Sequence, residues 1–126
     1  MKKEYVDSVL TRSIIAAFFA VYNALGHGFL ESVYATALEK ELLKRGFKVV
    51  REMSVQVWYD GSVIAWQRLD MVVEDRIIIE IKASPALAPS ATRQLYNYLK
   101  ATRLQVGLVL HFGERPHVHR VFCAAP

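Results

Sequence analysis

The 126-residue sequence is 53% hydrophobic with a net charge of +4, which excludes a disordered chain and predicts one compact domain over residues 1–126. The basic balance allows a polyanionic partner such as nucleic acid. Cys123 is the only cysteine, which excludes an intrachain disulfide and favours a reducing, cytoplasmic compartment.

The N-terminal part predicts two helices joined by a glycine corner. Apolar residues recur at helical spacing over about residues 7–25 and again over about 29–45, with Gly26-His27-Gly28 between the two helices. The apolar run at residues 14–22 is shorter than the ~20 residues that span a bilayer, so no membrane association is expected. On a helical wheel Glu31 lies at the flank of the buried stripe, where it is either functional or an edge carboxylate that caps or forms a salt bridge.

The middle of the sequence predicts a meander of antiparallel strands. Segments 47–53, 55–59 and 63–66 are rich in valine and aromatic residues, and Asp60-Gly61 is a turn pair. The aromatic residues are interpreted as packing side chains: Tyr59, Trp58, Trp66 and Phe112.

Residues 68–83 predict a hairpin with one apolar and one polar face. Side chains alternate along a strand, so if Met71 lies opposite Ile79, Asp70 falls opposite Glu80 and Arg68 opposite Lys82. A two-residue turn would mix the faces. A three-residue loop or a bulge is therefore expected near residues 74–76.

A third helix is predicted after Pro85 and Pro89, ending near Thr102. Gln94 and Tyr98 are four residues apart on its inner side, where they are either a buried polar pair or a core tyrosine with a glutamine at the rim. Strands follow at residues 106–110 and 117–122.

His117 and His119 share one face of the last predicted strand. Two histidines on one strand could be metal ligands, but no cysteine or histidine cluster in the sequence matches them. They are interpreted as surface histidines.

Asp70, Glu80 and Lys82 carry the most distinctive chemistry. Two opposed carboxylates form a hard-oxygen site suited to Mg²⁺ or Mn²⁺, and a neighbouring lysine can neutralise a phosphate and orient or deprotonate the attacking water. The alternative is a cross-strand salt-bridge cluster with Arg68 on a solvated sheet face.

The motif Gly28-Phe29-Leu30-Glu31-Ser32-Val33-Tyr34 resembles the G-x-x-E-x-x-Y signature of the GxxExxY family, a branch of the PD-(D/E)XK nuclease superfamily. The resemblance extends to His111-Phe112-Gly113, where family members often have Asn-Phe-Gly. It implies a restriction-endonuclease-like α/β (α+β) fold with an α-β-β-β-α-β core, a mixed central sheet flanked by helices, and an extra N-terminal helix.

The resemblance also implies site residues. Asp70, Glu80 and Glu31 would hold Mg²⁺ or Mn²⁺ and, with Lys82, would be catalytic. Gln94 and Tyr98 resemble a Q-x-x-x-Y motif that positions substrate. Tyr34 and Arg68 are further positioning candidates.

The leading hypothesis is a metal-dependent nuclease acting on DNA or RNA. The first alternative is a Holliday-junction-resolvase-like enzyme, which would need a homodimer to cut two strands. The second is a catalytically inert module of the same fold that binds nucleic acid or protein.

Overall fold

A computed structural model describes residues 6–124, in which three helices and seven strands follow one another. In chain order they are α1 (Ser8–Leu25), α2 (Glu31–Lys44), β1 (Val49–Arg51), β2 (Ser54–Tyr59), β3 (Ser62–Arg68), β4 (Met71–Val73), β5 (Ile77–Lys82), α3 (Ser90–Thr102), β6 (Val106–Phe112) and β7 (Pro116–Phe122). The predicted helices are all present, and α2 is shorter at both ends than expected.

The helices end where the local chemistry stops them. The N–H of Gly26, whose φ of 68° suits glycine, donates to the carbonyl of Tyr22 and closes α1. Pro89 precedes the first residue of α3, where its missing N–H costs nothing. By length and hydropathy α1 could cross a membrane. In this fold, however, Ile14, Phe18 and other residues of one helix face are core residues.

The sheet joins five strands in the order β1-β4-β5-β6-β7. β5 and β6 are parallel, since α3 carries the chain from one to the other, and the remaining pairs are antiparallel. This mixed sheet with helices on both sides confirms the predicted restriction-endonuclease-like fold class.

Each face of the sheet is covered by different helices. Ile77, Ile79 and Ile81 of β5 belong to the core cluster that contains α1 and α2. Ile78 belongs to a second cluster with Leu95 and other residues of α3. A strand alternates its side chains, so Glu80 and Lys82 project to the α3 side.

The predicted hairpin register is confirmed. Met71 pairs with Ile79 and Val73 with Ile77, and residues 74–76 form the expected three-residue loop. Glu74 and Asp75 both have positive φ, 55° and 56°, which non-glycine residues adopt only when held. Lys48 holds them: its N–H donates to Glu74 Oε2 at 2.6 Å and its Nζ contacts Asp75 Oδ2 at 2.8 Å.

The predicted meander is wrong in its connections, because β1 pairs with β4 and not with β2. β2 and β3 form a separate two-stranded ribbon around the turn Asp60-Gly61, called here the β2–β3 arm (Ser54–Arg68). The arm extends the β1–β4 pair: the Glu52 N–H donates to Asp70 O, and the Leu69 N–H donates to Met53 O. The chain bends at Glu52, where φ is 55°, and beyond this residue the arm leaves the five-stranded sheet.

Trp58, Tyr59 and Trp66 of the arm are exposed, so their interpretation as packing residues is also wrong. The ribbon has left the sheet, so the helices that cover the sheet do not bury these aromatic residues. Phe112 is fully buried, as expected.

Candidate functional site

Asp70 and Glu80 meet where β4 begins and β5 nears its end. The Asp70 N–H donates to Glu80 Oε1 at 3.3 Å, and the Ile81 N–H donates to Asp70 Oδ2 at 2.7 Å. Each carboxylate is thus fixed by a backbone amide of the neighbouring segment. The predicted juxtaposition of the two acids is present.

The bend into the arm creates this arrangement. β4 pairs with β5 only as far as Met71, and the chain before it turns away with the arm. The Ile81 N–H therefore has no strand carbonyl opposite it, and the Asp70 side chain takes that place. An aspartate at the point of strand separation satisfies the backbone and also brings its carboxylate to Glu80.

Glu80 is 5% exposed, an unusual environment for a carboxylate. Burial, and after it the negative charge of Asp70, raise the pKa of Glu80 to about 8, whereas the positive charge of Lys82 opposes the shift. This raised pKa favours the protonated form of Glu80 at neutral pH.

Lys82 and His111 are neighbours in register on the parallel strands β5 and β6 and so share the α3 side. Lys82 is half-buried, and its charge acts on Glu80. The buried ring of His111 donates from Nε2 to the carbonyl of Ser84 at 2.7 Å, and Gly113 lies against this ring. His111 therefore fixes the chain just after Lys82.

Glu31 is exposed in the first turn of α2, not at the flank of the core as predicted. Its Oε2 accepts a hydrogen bond from the Ala83 N–H at 3.3 Å, at the residue after Lys82. Within residues 6–124 no three His, Cys, Asp or Glu side chains form a metal-holding group. The structure thus brings Glu31 to the end of β5 but does not gather it with Asp70 and Glu80 into a three-carboxylate cluster.

Tyr98 lies beside the acid pair. It is mostly buried, and its hydroxyl donates to Gln67 Oε1 of the arm at 3.4 Å. Burial raises the pKa of the Tyr98 hydroxyl, as do the charges of Glu80 and Asp70. Gln94, one turn earlier, is exposed, which corrects the prediction of a buried pair and agrees with the alternative that placed it at a rim.

Two positioning candidates lie elsewhere. Tyr34 is fully buried, stacks on Phe112 at a centroid distance of 4.1 Å, and donates its hydroxyl hydrogen to Gly26 O at 2.6 Å. It holds the Gly26–Phe29 corner, and its role in positioning a substrate stays a prediction. Arg68 pairs with Ser54 inside the arm, so the prediction that it lies opposite Lys82 is wrong.

The carboxylate oxygens of Asp70 and Glu80 are suitable ligands for a hard divalent cation. Asp70 and Glu80 each use one oxygen on a backbone N–H, and both offer the carboxylate oxygen that Mg²⁺ and Mn²⁺ prefer. Two carboxylates with water and phosphate oxygens are a common Mg²⁺ ligand set, since this ion keeps several waters. His117 and His119 are exposed on β7, as surface histidines would be.

The mixed sheet, with its acid pair and the Glu-x-Lys sequence on β5, defines a restriction-endonuclease-like domain. A family profile described as PD-(D/E)XK nuclease superfamily matches residues 8–121, and the chain therefore belongs to this superfamily. This confirms the superfamily that the sequence motifs indicated, while the GxxExxY branch stays a resemblance.

Comparison with solved structures supports the fold. A structure described as "Crystal structure of SSO0001" is similar with a TM-score of 0.59 and 19% sequence identity, over 75% of this chain and 50% of that chain. At this identity the similarity shows the fold alone, and the present chain covers only half of the other chain's length. No curated protein matches the sequence.

Sequence reasoning missed the groove between the arm and α3. Trp58, Arg93 and Lys100 line it, and none of them belongs to a motif. The two positive residues of α3, Arg93 and Lys100, were visible in the sequence, but a solvated helix face produces the same pattern.

Proposed function

We propose that this protein is a nuclease that hydrolyses phosphodiester bonds of DNA or RNA with Mg²⁺ or Mn²⁺ held by Asp70 and Glu80. The carrying observation is the pair of backbone-fixed carboxylates, one of them buried, beside Lys82. Burying two like charges together is costly, and a divalent cation offsets that cost. Superfamily membership supports a nucleic-acid substrate.

Asp70 and Glu80 would hold the cation, which when bound supplies stabilisation of the charge that develops on the phosphate. Glu80 keeps its proton at neutral pH without a cation, because its pKa is raised to about 8. That proton leaves to solvent before Glu80 can act as an anionic ligand. Cation affinity should therefore rise as the pH approaches 8.

Lys82 would bind a non-bridging oxygen of the scissile phosphate and orient the attacking water. Two contacts fix the end of β5 from which it projects: Glu31 accepts from the Ala83 N–H, and His111 donates to Ser84 O. In this proposal Glu31 and His111 are positioning residues.

The test is cleavage of single-stranded, duplex and branched substrates with Mg²⁺ or Mn²⁺. Asp70→Asn and Lys82→Ala should each lower the rate on the order of 10² or more, since each removes a group that contacts the cation or the phosphate. Asp60→Asn, in the exposed turn of the arm, is the matched control. Cleavage that survives both site substitutions would reject the mechanism.

Thermal melting separates the inert alternative. A working site should gain stability from Mg²⁺ in the wild type and lose that gain in Asp70→Asn, whereas a binding-only module need not respond. A junction-resolving enzyme would in addition be a dimer in solution. The dimer stays a prediction.

A further inference from the structure

A groove runs between the β2–β3 arm and α3 and has a volume of about 1020 Å³. Trp58 and Gln67 line it from the arm, and Arg93, Lys100 and Arg103 line it from α3 and its C-terminal end. Its size is at the upper end of ordinary ligand sites, about 300–1,000 Å³. The ligand it suits is therefore an extended one.

Tyr98 links the groove to the acid pair, since it lines the groove and lies within the electrostatic influence of Glu80 and Asp70. Tyr98 lines the groove, and its hydroxyl bonds to Gln67, three residues before Asp70. Tyr98 also packs in the cluster that includes Leu69, the residue before Asp70, and Ile78, two residues before Glu80. A polymer whose scissile bond lies at Asp70 and Glu80 could continue into this groove.

The charge of the groove is positive and uncompensated. Its lining includes three cationic side chains and no carboxylate. Among residues 6–124 the four ion pairs involve Arg45, Lys48, Arg51 and Arg76, and none involves a groove cation. Such a lining complements a polyanion.

Trp58 adds an aromatic surface to the groove, which would contact a base and not a phosphate. Trp58 is 61% exposed and is one of the residues that line the groove. Exposed aromatic rings beside a cationic track are the means by which proteins bind unpaired bases, which stack on the ring. Bases inside a duplex already stack on one another and present no face to the indole.

We propose that this groove binds an unpaired nucleic-acid segment that adjoins the scissile phosphate, with a base stacked on Trp58 and phosphates on Arg93, Lys100 and Arg103. The inference rests on the proposed function and narrows its substrate to nucleic acid with a single-stranded portion. The arm residues that line the groove, among them Trp58 and Gln67, then form one wall of the substrate-binding site.

The experiment measures equilibrium binding by fluorescence anisotropy without divalent cations, so that no cleavage is needed. The probes are fluorescein-labelled oligothymidylate and oligouridylate of about 12 nucleotides, within the site sizes of single-strand binding folds. A blunt duplex and a labelled polyglutamate peptide are the comparison probes. The single strands should bind more tightly than either.

Trp58→Ala should weaken single-strand binding about 5- to 100-fold, the effect of losing one stacked base, and Trp58→Phe should restore most of it. Trp66→Ala is the matched control, because Trp66 is 63% exposed on the same arm and does not line the groove. It should change affinity less than about twofold.

Salt dependence tests the cations. Replacing Arg93, Lys100 and Arg103 together by alanine should reduce the slope of log affinity against log salt by about 2, at ~0.7 per phosphate contact. The matched control replaces Arg12, Lys40 and Lys44, which are exposed outside the groove and change net charge equally. This control variant should keep most of the wild-type slope of log affinity against log salt.

Equal losses for Trp58→Ala and Trp66→Ala, equal effects of the two triple variants, or duplex or polyglutamate binding as tight as the single strands would each overturn the groove proposal. Failure of the nuclease proposal is distinguishable. In that case single strands bind as described, but Mg²⁺ and Mn²⁺ give no Asp70-dependent cleavage. The reverse result, cleavage without a Trp58 effect, rejects the groove alone.

Discussion

The two faces of β5 differ although their residues alternate along one strand. Ile77, Ile79 and Ile81 face α1 and α2 in a core that is closed on every side. On the other face Ile78 is followed by Glu80 and Lys82, at the place where the arm leaves the sheet. The difference shows that the alternation of side chains along β5 decides which face carries the acid and the lysine. The interruption of strand pairing, where the arm leaves the sheet, then leaves room for a site on that face.

The largest effect is expected on the closed face. Ile79→Ala should lower the free energy of unfolding by about 2–5 kcal/mol, because it leaves a cavity in a fully buried site. Ile64→Ala is the control, since Ile64 is 62% exposed on the arm and should change stability by no more than about 0.5 kcal/mol. Urea denaturation measures both. Similar losses would show that the arm is as closely packed as the sheet.

The opposite face should respond to pH. The pKa of Glu80 is raised from 4.5 to about 8 by burial and by Asp70, so the folded state binds its proton more tightly than the unfolded state. This stabilisation is complete below pH 4.5 and is lost as the pH rises through about 8, a loss on the order of a few kcal/mol. Without divalent cations the wild type should therefore become less stable over that range.

Glu80→Gln isolates this contribution, because the amide has nearly the same shape and does not titrate. Its unfolding free energy should be nearly independent of pH where the wild type declines, and Mg²⁺ should flatten the wild-type curve but not affect the variant. Chemical denaturation at several pH values checks this. Parallel curves for both proteins would mean that Glu80 is ionised without a cation.

The register of the two faces was predictable, whereas the path of the arm was not. Alternation of apolar residues around Met71 and Ile79 fixes the pairing, since a shift by one residue buries Glu80 on the wrong side. The antiparallel register of β1 with β4 continues unchanged into β2 with β3 across the bend at Glu52. The alternation of apolar and polar residues therefore does not show whether these strands stay in the sheet or bend away from it. The sequence therefore predicts Trp58 to be a packing residue, which the structure shows to be wrong.

The candidate site was predictable to a similar extent. The placement of Asp70, Glu80 and Lys82 on one face of the sheet follows from the alternation of side chains along the strands. The helical wheel placed Glu31 at a buried flank, but a wheel gives only the angle around the axis. Glu31 lies in the first turn of α2, beyond the covered part of the helix, and is exposed. Gln94 is exposed because a groove adjoins that part of α3.

A smaller effect is expected at the Gly26–Phe29 corner. Tyr34→Phe removes the hydroxyl that donates to Gly26 O and accepts from the Phe29 N–H at 3.2 Å, while the ring keeps its stacking on Phe112. The loss should be about 1–2 kcal/mol in unfolding free energy. Cleavage by the folded variant should stay within about threefold of the wild type. A large loss of activity with normal stability would place this hydroxyl in substrate binding after all.

The smallest effect is expected at Glu31, and it tests how far the polar face extends. Glu31→Gln removes a negative charge from the first turn of α2, which should cost about 0.3–1 kcal/mol, while the amide oxygen can still accept from the Ala83 N–H. If Asp70 and Glu80 hold the cation, stabilisation by Mg²⁺ should persist in Glu31→Gln and disappear in Glu80→Gln, although each variant loses one carboxylate. Thermal melting with and without Mg²⁺ gives the comparison. Equal loss of the Mg²⁺ effect would make Glu31 a ligand and extend the site across the end of β5.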